Sequence, residues 1–115
     1  MLIESLVINH LKTKLNITNV YVQTPEIIPS EFVLVRVNDR DMTNHISGVT
    51  LELASYSDDK YHAAVLDQSV RRAMESLVES PSVSKTELGG GRDDADTSLN
   101  KYKYISYINV IYYDD

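Results

Sequence analysis

The chain has 115 residues, 43% apolar and 24% charged, with no cysteine and a formal net charge of −6. That length suits one domain with one modest core. The composition excludes disulfides, thiolate zinc sites and a cysteine nucleophile. It offers no apolar run near the roughly 18 residues of a membrane span, and no basic stripe of the kind that nucleic-acid binding needs.

The start, Met1-Leu2-Ile3-Glu4-Ser5, lacks a basic n-region, so no signal peptide is expected. Residues 2–15 read as a helix, because Ile3, Leu6, Val7, Leu11 and Leu15 form one apolar stripe. Glu4 near its beginning and Lys12 and Lys14 near its end suit the helix dipole. Asn16 and Thr18-Asn19 supply the stop. Residues 20–23 read as a short strand, followed by a turn-rich link in which Pro25 and Pro29 bracket Ile27 and Ile28.

Residues 32–38 form a second strand, with Val33, Val35 and Val37 on one face and Phe32, Leu34 and Arg36 on the other. The polar stretch 39–45 is expected to be a loop. A third strand covers about 49–56, with Val49, Leu51 and Leu53 opposite Thr50, Glu52 and Tyr56, as in a sheet with one buried face. Ser57 is the expected N-cap of a second helix, with Asp58 and Asp59 in its first turn. Its stripe of Ala63, Leu66, Val70, Ala73 and Leu77 runs to about residue 79, and Pro81 ends it.

Residues 83–88 offer a further strand. Gly89-Gly90-Gly91 and the acidic run Arg92-Asp93-Asp94-Ala95-Asp96 have little to bury, so 88–99 is expected to be a mobile loop or hairpin tip. The chain closes on a strand over 101–113. Tyr102, Tyr104, Ile108, Val110 and Tyr112 lie on one face, and Ile105, Tyr107, Ile111 and Tyr113 on the other. Apolar surface on both faces points to a partner. The whole reads as one α+β domain, with an antiparallel or mixed β-sheet of about four strands and two helices packed on one face.

Tests for chemistry return little. His10, His45 and His62 share no metal-ligand spacing. The acidic run lacks the glycine and glutamate positions of a calcium loop. The glycine run lacks the lysine and hydroxyl residue of a phosphate loop, and no Gly-x-Ser-x-Gly elbow occurs. Base stacking on the final tyrosines would need a cationic groove, and only Lys101 and Lys103 are near. Arg71-Arg72 reads as a solvated face or an inter-subunit ion pair. No catalytic residue, metal or cofactor is expected.

The order of elements resembles the small tail terminator (tail completion, head–tail joining) proteins of long-tailed phages and prophages. Three stretches carry the resemblance: the first helix leading through the Pro-containing link into Phe32-Val33-Leu34-Val35-Arg36-Val37; the strand 49–56 running into Ser57-Asp58-Asp59 and the helix; and the closing strand 102–113. The resemblance implies a non-enzymatic minor virion protein of the tail or neck, assembled in the host cytoplasm. It would form a homo-oligomeric ring, usually hexameric, that caps the tail tube protein and docks to the head connector or stopper.

DNA would pass through such a ring without specific binding, helped by an acidic lumen, and no membrane is involved. A closed ring needs two different patches per subunit. The candidates are the final strand, with Tyr104, Tyr107 and Tyr112, and the second helix, with Arg71, Arg72 and Glu75. Gly89, Gly90, Gly91, Arg92, Asp93, Asp94 and Asp96 form the expected docking loop. Two alternatives stay open. One is a neck, stopper or other minor capsid protein. The other is a small ligand-binding or regulatory domain that uses the 88–99 loop as a lid.

Overall fold

The computed structural model describes residues 2–43, 46–96 and 99–113, without the side chains of Met42 and Thr43. The expected loop position of His45, the acidic tail Asp114-Asp115, and Thr97 and Ser98 of the expected docking loop lie outside the described residues. The order of elements is α1 (Ile3–Leu15), β1 (Val20–Tyr21), β2 (Phe32–Thr43), β3 (Ile46–Ser57), α2 (Lys60–Glu75), a 3-10 turn (Ser76–Glu79), β4 (Val83–Asp96) and β5 (Lys101–Tyr113). The fold class is α+β, with five strands in the order β1-β2-β3-β5-β4. All neighbours are antiparallel except β1 and β2, so the sheet is mixed. Four strands of 12–14 residues at about 3.3 Å each account for a molecule 43 Å long.

Period-two alternation divides the sheet into a helix-covered face and an open face. In register, Val35 lies opposite Leu53, Val49 opposite Val110 and Leu51 opposite Ile108. These side chains pack against Ile3, Val7 and Leu11 of α1 and against Val70, Ala73, Met74 and Leu77 from α2 and the turn, forming the main core. Both helices therefore cover one face. His10 ties them together: its Nε2 lies 2.7 Å from the Ala73 carbonyl, which can only accept, and 2.9 Å from Ser76 Oγ. This histidine is a packing residue.

The open face carries a second, smaller cluster of Phe32, Leu34, Ala54, Tyr56 and Ile105. Phe32 and Tyr56 stack with centroids 4.4 Å apart. The link between β1 and β2 folds over this cluster through Ile28. Lys101 Nζ donates to the Ser30 carbonyl at 3.1 Å and also pairs with Asp58, so the link is fastened to β5 and to the start of α2.

Several expectations are corrected here. Residues 39–43 are not loop but the continuation of β2, paired with β3 beyond a register shift at Asn38. Backbone pairing overrides their polar composition. Arg40 Nη2 also donates to both Glu4 carboxylate oxygens at 3.1 Å, joining the hairpin to α1. Ser57 is not the N-cap of α2. It ends β3, buried, and donates to Glu31 Oε2, while Asp59 caps the helix by accepting from the His62 N–H at 2.8 Å. That hydrogen bond holds the Asp59 carboxyl below the usual carboxylate range.

The largest correction concerns 88–96; Leu99 and Asn100 do lie in the turn of the β4–β5 hairpin. Leu88 to Asp96 is the second half of β4, paired with β5 from Ile108 to Lys101. Apolar pattern missed it because this half is held by backbone pairing and buries almost nothing. The glycines serve the strand. Gly90 sits at φ +126, beside a register shift between Leu88 and Gly90. A Cβ on Gly91 would lie 2.7 Å from the Ile105 carbonyl oxygen, closer than a methyl group can approach backbone.

Gly91→Ala is therefore expected to lower unfolding stability by about 1–3 kcal/mol through overpacking. Gly48→Ala, where a Cβ meets nothing within 4 Å, is expected to be neutral or slightly stabilising. Urea denaturation of the two variants checks the contrast.

Candidate assembly surface

β5 lies between β3 and β4, so the strand expected to supply sticky surface is interior to the sheet. Its two apolar faces are mostly covered by the two clusters on either side. Tyr112 is 2% exposed and belongs to the core. Its place among the interface candidates is corrected on that ground. Tyr107 is half-buried on the open face, against the Phe32–Tyr56 cluster. The large apolar side chains that remain exposed on β5 are Tyr102, Ile111 and Tyr113.

The helix-covered face is incompletely covered at its β4 edge. α2 lies over β3 and β5 and barely reaches β4. This leaves a groove with α2 on one side and β4 on the other. One part, of about 210 Å³, is lined by Arg71, Met74, Glu75, Thr86, Leu88 and Ile108. The adjoining part, of about 310 Å³, is lined by residues including Asp67, Arg71, Leu88, Gly91, Tyr104 and Ser106. Arg71 and Leu88 border both parts. Leu88 is 53% exposed, on a strand face where its neighbours in register are buried.

The groove gathers Arg71, Glu75, Tyr104, Gly90, Gly91 and Asp93 from the residues singled out in sequence. It does not gather all of them. Arg72 is exposed on α2 but does not line it. Asp94 and Asp96 alternate to the open face, where Asp96 accepts from the Tyr56 hydroxyl; burial first and then Asp96 push that hydroxyl up. Arg92 borders the groove, but it is in register with open-face Ile105, so alternation directs its side chain away. Asp93 pairs with Lys60 at 3.3 Å, and that hydrogen bond raises the Lys60 ammonium.

Sequence reasoning missed Asp67. Its side chain is 5% exposed and is reached by two donors: Ser106 Oγ at 2.6 Å and Arg71 Nε at 3.1 Å. A buried carboxylate is tolerated only when partnered in this way. The signal was present, since Asp67 stands four residues after Ala63 and three before Val70, on the inward stripe. Its effect is to hold Arg71 through Nε, on a side chain that lines both parts of the groove. Gly91 opens the floor beside Ser106, because a side chain there would fill it.

Among the described residues no group of three or more histidine, aspartate or glutamate side chains is placed to hold a metal ion, and no helix is long and apolar enough to cross a membrane. No family model matches the chain, and no curated protein matches it. Among solved structures, a chain of the virion of a native gene transfer agent (GTA) particle shares the fold. The likeness spans 96% of this chain and 93% of that one, with a TM-score of 0.53 and 9% identity.

Asp67→Ala leaves the Ser106 hydroxyl buried without its acceptor and is expected to cost about 1–3 kcal/mol. Asp67→Asn keeps an acceptor for Ser106 and is expected to retain most of the stability. Thermal unfolding of both variants checks this order.

Proposed function

We propose that the chain is a structural subunit of a phage-like virion, and within that class a tail terminator: a ring that caps the tail tube and docks to the head connector. The observation that carries the reading is the whole-length correspondence of fold with a component of a gene transfer agent virion. A virion subunit needs surfaces rather than a reaction centre. The most developed feature outside the core is a groove at a sheet edge, lined in part by Arg71, Glu75 and Tyr104, which the sequence offers as interface residues.

The net charge of −6 suits a subunit that lines a DNA passage without holding the phosphates. A hexamer is the number the tail terminator resemblance suggests. The chain would act without a cofactor, its partners being its own copies, the tube protein and the connector. Arg71, Glu75 and Tyr104 remain interface residues in this proposal. β4 replaces the expected docking loop as the element that meets a neighbour.

Light scattering of the purified chain is expected to give a mass several times 13.0 kDa, and negative-stain images are expected to show closed rings. Mixed with uncapped tail tubes, the protein is expected to stop their growth and decorate one end. Decoration of tailless heads instead would assign it to the neck or stopper. A monomer at every concentration, inert toward both, would refute the virion reading.

A further inference from the structure

A closed ring joins two unlike patches of the same chain, and the groove between α2 and β4 is one of them. We propose that its occupant is the link between β1 and β2 of a second copy, with Ile27 inserted over Leu88 and Glu26 paired to Arg71. This contact rests on the ring reading above and specifies how neighbouring subunits meet.

Ile27 is the most exposed large apolar side chain among the described residues, at 86%. Exposure of that degree, on a segment fastened at its end, is not a by-product of a loose loop. Next to it Ile28 is anchored in the open-face cluster, and the Ser30 carbonyl is held by Lys101. The Glu31 carbonyl accepts from Asn19 Nδ2 at 3.3 Å, and its carboxylate accepts from Ser57. Pro25 and Pro29 restrict the backbone on both sides. The segment thus presents Ile27 preorganised, and little ordering entropy opposes docking. The prolines also make it a poor added strand, so recognition falls to side chains.

The groove offers the complement. Leu88 is half-exposed, with Met74 and Ile108 beside it, so a branched aliphatic side chain arriving there removes apolar surface on both partners. Arg71 is ion-paired through Nε with buried Asp67, lines both parts of the groove and keeps its side chain 43% exposed, so a guanidinium stands there for an arriving carboxylate. Glu26 stands next to Ile27 in sequence, exposed and without a partner among the described residues. The link leaves β1 at one end of the strand order and folds over the open face toward Lys101 of β5, whereas the groove lies on the helix-covered face at the β4 end, so the two patches are distinct. One copy's link therefore meets the next copy's groove head to tail, and the pattern repeats until it closes.

The absence of cysteine permits a direct test on the full chain. The double variant Ile27→Cys/Leu88→Cys, mildly oxidised, is expected to give a ladder of covalent oligomers that ends at the ring number and returns to monomer under reductant. Each single variant alone is expected to stay uncrosslinked, and a mixture of the two singles to give dimer and nothing larger. Ile27→Asp is expected to reduce the assembled mass to that of one chain without changing the melting temperature, because Ile27 contributes to no core cluster. Wild-type rings together with an absent ladder would overturn this contact and leave the ring standing. Self-crosslinking of the Ile27→Cys variant would replace the contact with a twofold one. A wild-type chain that never assembles would overturn both the contact and the ring.

Discussion

Pairing of β5 along both of its edges, to β3 from Tyr102 to Tyr113 and to β4 from Lys101 to Tyr112, is the constraint on which the rest depends. A strand in that position has no free backbone, and its two side-chain faces meet different neighbours. The helix-covered face takes Ile108, Val110 and Tyr112 into the main core; the open face gives Ile105 and Tyr107 to the smaller cluster. The second cluster exists because the link from β1 to β2 must return across the sheet to set two parallel strands side by side. Covering β5 on the open face and presenting Ile27 to solvent are two results of that one return.

The uneven reach of the helices follows from the same arrangement. α1 and α2 centre on β2, β3 and β5, where the valine and leucine rows are densest, so β4 extends past the cover. The groove is a margin of the core in which Leu88 continues an apolar row without a helix above it. Asp67 marks the boundary. It is buried enough to require partners, and it obtains one from the sheet, Ser106, and one from the solvent side, Arg71.

Helices and central strands were legible because their periodicity is written in apolar side chains: Ile3, Val7 and Leu11 at helical spacing, Val33 and Val35 at strand spacing. Segments held by backbone pairing alone were not. The extension of β2 past Val37 and of β4 past Leu88 carries polar or glycine residues whose side chains bury nothing, so composition described them as loop. For the groove, sequence supplied Arg71, Glu75 and the glycines, but it attributed the glycines to freedom when Gly91 is required by close approach to Ile105. It also placed Tyr112 on a surface, because alternation along one strand does not reveal whether a helix lies above it.

β4 leaves a fourteen-residue row of backbone donors and acceptors along the outer side of the sheet. Bare rows of that kind template fibrous aggregation when the strand is flat and apolar. Here the bulge at Gly89 and Gly90 breaks the straight run, and Asp93, Asp94 and Asp96 place like charges at its far end. Two such rows brought together repel before they zip. The chain keeps in this way a long unpaired margin that resists edge-to-edge growth into fibrils.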